Sequence, residues 1–451
     1  MNEAATSTAV EIGSRWKPYP VYKDSGVEWL GEIPVHWEVK RLRFIANSIQ
    51  TGPFGSQLHS EEYVTDGTPI INPANLQNGK IVPDSNCTVD DPTLWRLSRH
   101  ELRQGDVVFA RRGEMGRCAL VTENEEGWLC GTGSLTVRPD TNTCHPPYLN
   151  LVLSIRGIKD WLSLESVGST MENLNTEILS RAPIPNPSLS EQCLIASFLD
   201  RETAHIDTLM AKKERLIELL TEKRSALISH AVTKGLDPTV PMKDSDEEWI
   251  GEIPAHWIPK KIKYLFRQTK RQNYADLTVL SVYRDYGIIE KESRDDNHNR
   301  TPENLDTYQL VNVGDLVINK MKAWQGSLGM SGHHGITSPD YVVYAPEHDE
   351  NSRFLHYLLR AEAMADVYRS ISNGIRPSQW RLEPENFEKL VIFLPPLSEQ
   401  AQICTFIGVE YRRLEHLITQ AQKLISYLNE YRTALISAAV TGKIDVREEV
   451  V

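Results

Sequence analysis

The sequence predicts an α+β protein in which two mixed α/β domains are separated by an antiparallel two-helix coiled coil, with a pseudo-two-fold repeat. Two duplications support this prediction. The segment EWLGEIPVHW at 28–37 returns as EWIGEIPAHW at 248–257, and the longer stretch 189–237 returns at 397–445. The segments between the duplicates differ from each other. Self-similarity of this kind indicates an architecture built from repeated units.

The composition indicates a globular cytoplasmic protein. Apolar residues make up 40% of the chain, no basic start precedes an apolar run, and no stretch is apolar enough for a membrane span. The six cysteines form no CxxC pair, which fits a reducing compartment. A net charge of −12 argues against a protein that coats nucleic acid non-specifically, so any DNA contact must come from local positive loops.

The duplicated long stretches predict two helices that pair. Apolar residues recur seven apart, as in a coiled coil. The main seam holds Leu199, Ile206, Lys213, Leu220, Leu227, Ile407, Leu414, Ala421, Leu428 and Leu435, and a companion seam holds Glu202, Leu209, Leu216, Lys223, Glu410, Leu417, Leu424 and Tyr431. Prolines precede Ser190 and Ser398, which we expect to be the N-caps, and a glycine follows each helix. We expect antiparallel pairing, because a two-fold axis gives both halves equivalent contacts. The alternative is two separate amphipathic helices, each packed on its own domain.

These patterns divide the chain into a tail and four further segments. The predicted boundaries are a tail at 1–22, a first globular domain at 23–189 with its box at 23–45, a first spacer helix at 190–237, a second globular domain at 243–397 with its box at 243–266, and a second spacer helix at 398–446. Trp29, Trp37, Trp249 and Trp257 of the boxes are expected to be packing anchors.

Both variable segments contain a Gly-Asp turn followed by a short apolar strand and then by positive charge. Gly105-Asp106 precedes a predicted strand at Val107–Ala110, and Gly314-Asp315 precedes one at Leu316–Asn319. The cations that follow are Arg111, Arg112, Arg117, Lys320 and Lys322. They are either solvated strand ends or ligand contacts. A shared frame with different loops is what two recognition modules of one architecture would show.

Polar side chains with two hydrogen-bonding groups supply further candidates. Gln57, Asn72, Asn75, Arg376 and Gln379 have the reach to bind base edges. Catalytic motifs are missing: HPPY at 145–148 begins with histidine where an amino-methyltransferase has Asn or Asp, and TGKI at 441–444 lacks the rest of a phosphate loop. No metal-ligand spacing is recognised.

Five motifs together resemble the specificity subunits of type I restriction–modification systems. They are the EWLGEIP.HW box, GPFGS.L at 52–58, L..GDVVFAR.G..G at 102–116, GSTMENLN at 168–175 and LPPLSEQ at 394–400. The resemblance runs from about residue 20 to 446. The second domain departs from it, because it has NGIRPSQWRLEPENF at 373–387 in place of GSTMENLN and lacks a GPFGS copy.

The resemblance implies two target-recognition domains, each of which binds one half of an asymmetric bipartite site in double-stranded DNA. The helices would set the spacing and dock two methyltransferase subunits. Those partners would bind S-adenosylmethionine and methylate adenine, and restriction subunits would use ATP and Mg to cleave unmodified DNA. This chain would be non-catalytic and would hold no cofactor or metal. Its expected DNA-binding residues are Ser56 of the GPFGS motif and the candidates named above.

Two alternatives remain open at this stage. A self-sufficient methyltransferase or nuclease would bind its cofactor without partners, and the missing loops argue against it. A scaffolding coiled coil with two unrelated appended domains would not explain why the Gly-Asp turn, strand and cation recur in both variable segments.

Overall fold

The computed structural model describes residues 15–54, 57–77, 79–111, 116–166, 174–284, 286–294, 301–374 and 380–449. The chain forms two compact units. The first comprises residues up to 212 together with those from 423 onward, and the second comprises 213–422. Each unit therefore includes part of both long helices. The boundaries predicted from the sequence had placed these helices in two spacer segments separate from the globular domains.

The first unit contains thirteen strands and four short helices among its described residues. The strands are β1 (Tyr22–Asp24), β2 (Glu32–Pro34), β3 (Glu38–Arg41), β4 (Ala46–Thr51), β5 (Thr68–Ile71), β6 (Leu76–Gln77), β7 (Lys80–Ile81), β8 (Thr88–Val89), β9 (Val107–Ala110), β10 (Cys118–Leu120), β11 (Leu129–Cys130), β12 (Ser134–Pro139) and β13 (Pro183–Asn186). The helices are α1 (Asp91–Arg96), α2 (Pro146–Ser154), α3 (Arg156–Glu165) and α4 (Thr176–Ser180).

The second unit repeats much of this order, and two long helices run through both units. The long helices are α5 (Leu189–Lys234) and α9 (Leu397–Val440). The strands are β14 (Met242–Asp244), β15 (Glu252–Pro254), β16 (Ile258–Lys261), β17 (Phe266–Thr269), β18 (Leu280–Tyr283), β19 (Gly287–Glu290), β20 (Gln309–Val311), β21 (Leu316–Asn319), β22 (Leu328–Met330), β23 (Gly335–Thr337), β24 (Tyr341–Pro346) and β25 (Val391–Leu394). The remaining helices are α6 (Ser352–Leu359), α7 (Glu362–Ser370) and α8 (Pro384–Glu388).

Each unit is built on a four-stranded antiparallel sheet with the same strand order. The order is β10-β9-β12-β4 in the first unit and β22-β21-β24-β17 in the second. Successive side chains of a strand point to opposite faces. Accordingly, Val107 and Phe109 of β9 enter the core that holds the short helices, while Val108 enters a second core on the other face. The predicted strands after both Gly-Asp turns are confirmed.

The long helices pair antiparallel within each unit. In the first unit, Asp207 of α5 forms an ion pair with Arg432 of α9 at 3.2 Å. Arg201 of α5 also donates a hydrogen bond to the carbonyl of Glu449, which follows α9, at 3.0 Å. In the second unit, Arg224 of α5 pairs with Glu415 of α9. A Cβ at Gly235, just past α5, would also lie 3.2 Å from Glu399 Oε1 in the first turn of α9, so rising residue numbers on one helix meet falling numbers on the other in each unit. Antiparallel pairing is therefore confirmed, and the alternative of two separate helices is wrong.

The main seam of the predicted heptads is more buried than the companion seam, although its residues Leu220, Leu227 and Leu428 are half-buried. Leu199, Ile206, Ile407, Leu414, Ala421 and Leu435 are each less than 9% exposed. The companion seam was predicted wrongly, since Leu209, Leu216, Leu417 and Leu424 are 38–46% exposed. A pair of helices shields one narrow stripe on each helix, and a second stripe is covered only if another element packs on it.

The first turns of the long helices differ from the predicted caps. Helix α5 begins at Leu189, and the Ser188 hydroxyl accepts a hydrogen bond from the Glu191 amide at 3.3 Å. Helix α9 begins at Leu397, and the Pro396 carbonyl accepts from the Glu399 amide. Ser190 and Ser398 therefore lie inside the helices and are not the N-caps. The cap of α5 is therefore Ser188, and Pro396 takes the cap position of α9, where the carbonyl is used and no amide hydrogen is needed.

The repeated boxes pack against the ends of both long helices. In the first unit, Lys443 just after α9 donates to the Glu32 carbonyl at 2.6 Å and to the Leu30 carbonyl at 3.3 Å. In the second unit, Lys234 at the end of α5 donates to the carbonyls of Ile250 and Glu252. Residues just after α9 thus pack against the N-terminal box.

Candidate nucleic-acid interface

The Gly-Asp turn of the first unit anchors strand β9 through a buried ion pair. Gly105 has φ of +90°, which permits the turn without strain on a side chain. The Asp106 carboxylate, 1% exposed, accepts from the Arg138 guanidinium of β12 at 2.8 and 2.7 Å. It also accepts from the Arg103 amide at 2.9 Å. This bidentate contact fixes the start of β9 relative to β12, and therefore fixes where β9 ends.

In the second unit, the aspartate of the Gly-Asp turn pairs with an arginine from a different position in the chain. Asp315 is 2% exposed and accepts from the Asn312 amide at 2.8 Å and from the Arg271 guanidinium, which follows β17. Burial raises the pKa of Asp315, and the Asn312 amide and the Arg271 charge oppose that rise. The two units thus share a strand anchor that differs in the origin of its cation.

The predicted cations of the first unit lie where β9 turns toward β10. The Arg111 guanidinium Nε donates to the Leu174 carbonyl at 3.2 Å, and Arg111 is half-buried. Arg117 is half-buried as well, and its Nε has no hydrogen-bond partner among the described residues. The Arg117 carbonyl accepts from the Ala110 amide, so both arginines flank one hairpin. Arg112 lies outside the described residues.

Lys320 and Lys322 occupy the equivalent hairpin of the second unit, between β21 and β22. Lys320 is half-buried and its carbonyl accepts from the Leu382 amide at 3.0 Å. Lys322 is exposed, and its carbonyl accepts from the Gln325 amide at 3.0 Å. The structure therefore brings the predicted cations to matching places in the two units. Their contact with DNA stays a prediction.

The polar candidates of the first unit are largely occupied by their own loops. Asn75 is 6% exposed, its amide nitrogen donates to the Val82 carbonyl at 2.8 Å, and its oxygen accepts from the Asn72 amide at 2.9 Å. The Asn72 side chain donates to Cys87 Sγ at 3.3 Å, and Gln57 Oε1 accepts from the Phe54 amide at 3.0 Å. These bonds give Asn72 and Asn75 a role in shaping the loop. Ser56, Arg376 and Gln379 lie outside the described residues.

The loop at 72–75 and the β9 hairpin meet at one segment of the first unit. The Arg111 amide donates to the Gly133 carbonyl at 2.9 Å. A Cβ at Gly131 would lie 2.2 Å from Asn72 Oδ1, and one at Gly133 would lie 2.9 Å from the Pro73 ring. Glycine is therefore required where these loops cross. This junction was not predicted from the sequence, although two glycines so close together before a strand were a signal for it.

An aromatic pair beside the second hairpin was also missed. Trp324 and Trp380 pack edge to face with ring centroids 5.4 Å apart, and the Trp324 indole donates to the Met321 carbonyl at 3.1 Å. Both rings are half-buried. The signal was the position of Trp324 two residues after Lys322. Because tryptophan rings bury a large apolar area when they pack together, we assign this pair a structural role beside Lys320 and Lys322.

The described ranges also bear on metal sites and on membrane spans. Within those ranges, no group of three or more His, Cys, Asp or Glu side chains is arranged to hold a metal ion. None of the helices there is long and apolar enough to cross a bilayer. The two hairpins offer positive charge and hydrogen-bond donors at the end of a four-stranded sheet.

Similarity to known proteins agrees with this arrangement. Residues 34–219 match a family model described as the type I restriction modification DNA specificity domain. The chain is 23% identical over 435 residues to the type I restriction enzyme StySPI specificity subunit of Salmonella potsdam, covering 92% of this chain and 90% of that one. It is 22% identical over 443 residues to the EcoKI specificity subunit of Escherichia coli K12, with the same coverage. A putative MjaX specificity subunit of Methanocaldococcus jannaschii is 28% identical over 234 residues, and that match spans about half of each chain (51% and 52%).

Solved structures share the fold. The HsdS subunit from Thermoanaerobacter tengcongensis has a TM-score of 0.51 at 17% identity and covers 91% of this chain and 98% of its own. A chain from a structure on complex assembly and conformational transition of the type I R-M system has a TM-score of 0.58 at 17% identity, covering 90% and 98%. The matched domain and the similarity along most of the chain point to the same proteins as the motifs, the specificity subunits of type I restriction–modification systems.

Proposed function

We propose that this chain is the non-catalytic DNA-recognition subunit of a type I complex, in which each unit binds one half of an asymmetric bipartite site. The observation that supports this most strongly is the identical strand order of the two sheets beneath hairpins of different sequence. A common frame would present both hairpins to DNA in the same way, while different loops would select different bases.

The paired helices would set the distance between half-sites and dock two methyltransferase subunits. The exposed apolar seam supports docking, because Leu209, Leu216, Leu417 and Leu424 leave a row of large apolar side chains at heptad spacing on each helix. Such rows are typical of helical surfaces that a partner covers. In this proposal the partners hold S-adenosylmethionine, ATP and Mg, the methyltransferases modify adenine, and restriction subunits cleave unmodified DNA in the cytoplasm.

Methylation mapping tests the proposal. A host that carries this chain with its methyltransferase subunits should show methylated adenines in one bipartite motif, and deletion of this chain alone should remove that motif. Methylation that persists without the chain would contradict the proposal. Methylation by the purified chain without partners would contradict it as well, since the proposed role is recognition only.

A further inference from the structure

We propose that two matching clusters of exposed cations, one in each unit, are sequence-independent phosphate contacts that position the recognition hairpins on DNA. The inference rests on the proposed function and adds residues that no motif of the variable loops supplies. The first cluster, called the first cationic corner, is Arg41, Arg43 and Arg181. The second cationic corner is Lys261, Lys263 and Lys389.

The corners are built by the same local structure. In the first unit, β3 pairs with β13 so that Arg41 lies opposite Pro183, and the Leu42 amide donates to the Ala182 carbonyl at 3.0 Å. Arg181 therefore lies beside the end of β3. In the second unit, Lys261 lies opposite Val391, and the same pairing brings Lys389 beside the end of β16.

One cation of each corner lies over an exposed ring. The Arg43 guanidinium is 4.8 Å from the centroid of Phe44, and the Lys263 ammonium is 4.9 Å from the centroid of Tyr264. These rings are 65% and 66% exposed. A cation held over an aromatic face loses less freedom on binding an anion than one that extends freely into water.

Most of the corner charges are not neutralised by their surroundings. Across the described parts of the chain, Arg41, Lys261 and Lys389 have no acidic partner within ion-pair distance, whereas Arg181 contacts Glu165 at 3.4 Å. The neighbouring Lys40 and Lys260 differ, since they pair with Glu38 and Glu350 and are excluded from the corners for that reason. In a chain of net charge −12, two repeated groups of cations that mostly lack an acidic partner indicate a specific use.

The residue types point to phosphate as the ligand. All three arginines of the first corner are replaced by lysine in the second, so positive charge is kept while the planar guanidinium is not. Bidentate recognition of a carboxylate or a base needs the planar guanidinium of arginine. A phosphate, in contrast, is bound by the positive charge of either arginine or lysine. The phosphate backbone is also the part of DNA that is chemically the same at two different half-sites.

The test is the salt dependence of DNA binding by the full chain in complex with the proposed methyltransferase subunits. Two variants neutralise the corners: Arg41→Gln with Arg43→Gln, and Lys261→Gln with Lys263→Gln. Each variant is measured on two duplexes. One carries the motif found by methylation mapping, and the other carries a scrambled sequence. Since the slope of log K against log salt falls by about 0.9 for each lost phosphate contact, each double variant should reduce it by roughly 2 on both duplexes.

Two matched controls separate charge from other effects. The charge-preserving variant Arg41→Lys with Arg43→Lys should keep the slope of the unsubstituted complex. Arg156→Gln and Arg369→Gln remove exposed cations that lie on helices outside the corners, where each pairs with a nearby aspartate, and they should also keep it. Circular dichroism melting of every variant reports whether it is folded.

The outcomes are distinct. An unchanged slope in the glutamine variants overturns the inference, as does a change of the preferred motif, because phosphate contacts carry no sequence information. Loss of the methyltransferase subunits without a change of slope would assign the corners to a protein contact instead. If the unsubstituted complex shows no preferred motif, the proposed function fails, and the slope on the scrambled duplex still tests the corners.

Discussion

The Trp37 indole donates a hydrogen bond to the Glu191 carboxylate at 3.1 Å, and this contact joins the N-terminal box to the first turn of α5. Trp257 and Glu399 repeat it in the second unit at 3.2 Å. Trp37 and Trp257 are 0% and 1% exposed. The repeated box is therefore conserved between the halves because each long helix begins against a buried tryptophan whose only polar group needs an acceptor.

Replacing Glu191 with alanine should destabilise the first unit. Tyr19 also donates to Glu191, at 2.8 Å, so the change leaves two buried donors without an acceptor. Each unsatisfied group costs about 1–3 kcal/mol. Urea unfolding should show a lowered midpoint for Glu191→Ala and a smaller shift for Glu191→Gln, which keeps an acceptor oxygen. A midpoint for Glu191→Ala equal to that of the wild type would show that the contact is dispensable.

Removing Arg138 should be costly because it leaves the Asp106 carboxylate buried and uncompensated. Breaking one partner of such a pair costs about 3–5 kcal/mol. Arg138→Met should therefore lower the unfolding free energy substantially, and the double change Asp106→Asn with Arg138→Met should restore part of it. Equal loss in the single and the double variant would mean that the ion pair does not hold β9, and a double-mutant cycle by urea unfolding decides between these results.

Stability of the second unit should fall at mildly acidic pH because of His356. Burial, together with the charge of Arg360, lowers the pKa of His356 from 6.5 to about 4. When the pKa of a histidine is lower in the folded state than in the unfolded state, its full contribution to stability is present above the pKa of the unfolded state. As the pH falls below that value, the unfolded state binds a proton first and is stabilised relative to the folded state. Between pH 6.5 and 4 this contribution is lost, amounting to roughly 2 kcal/mol near pH 5.

The variant His356→Gln should show a flatter dependence of unfolding free energy on pH than the wild type. His334→Gln is the matched control, since His334 is exposed in the same unit. Urea unfolding near pH 7.5 and near pH 5 measures the difference directly. An identical pH dependence in wild type and His356→Gln would show that another group titrates in this window.

Shortening the paired helices should change the spacer and leave the half-sites alone. Removing one heptad from each of α5 and α9 keeps their register and shortens them by about 10 Å, which corresponds to roughly three base pairs. Methylation mapping of that variant should show a shorter spacer or no methylation. An altered half-site sequence with an unchanged spacer would contradict the proposed role of the helices.

Sequence alone reached the features that depend on repetition and local pattern. Heptads and internal symmetry were enough for the antiparallel pairing, and Gly105 and Gly314 were enough for the strands after them. The role of Arg138 was out of reach, because it depends on a partner far along the chain: Arg138 lies 32 residues after Asp106. Exposure of Leu209 was equally hidden, since a heptad shows which residues can form a seam and not how many helices cover it.

The central claim is that each unit recognises one half-site independently. The most direct measurement exchanges the recognition segment of one unit. Residues 266–395 are replaced by the corresponding segment of a relative with a different motif, and the adenine methylation motif is mapped again. The account predicts that one half-site changes while the other half-site and the spacer stay the same. A motif in which both halves change, or in which neither does, would contradict it.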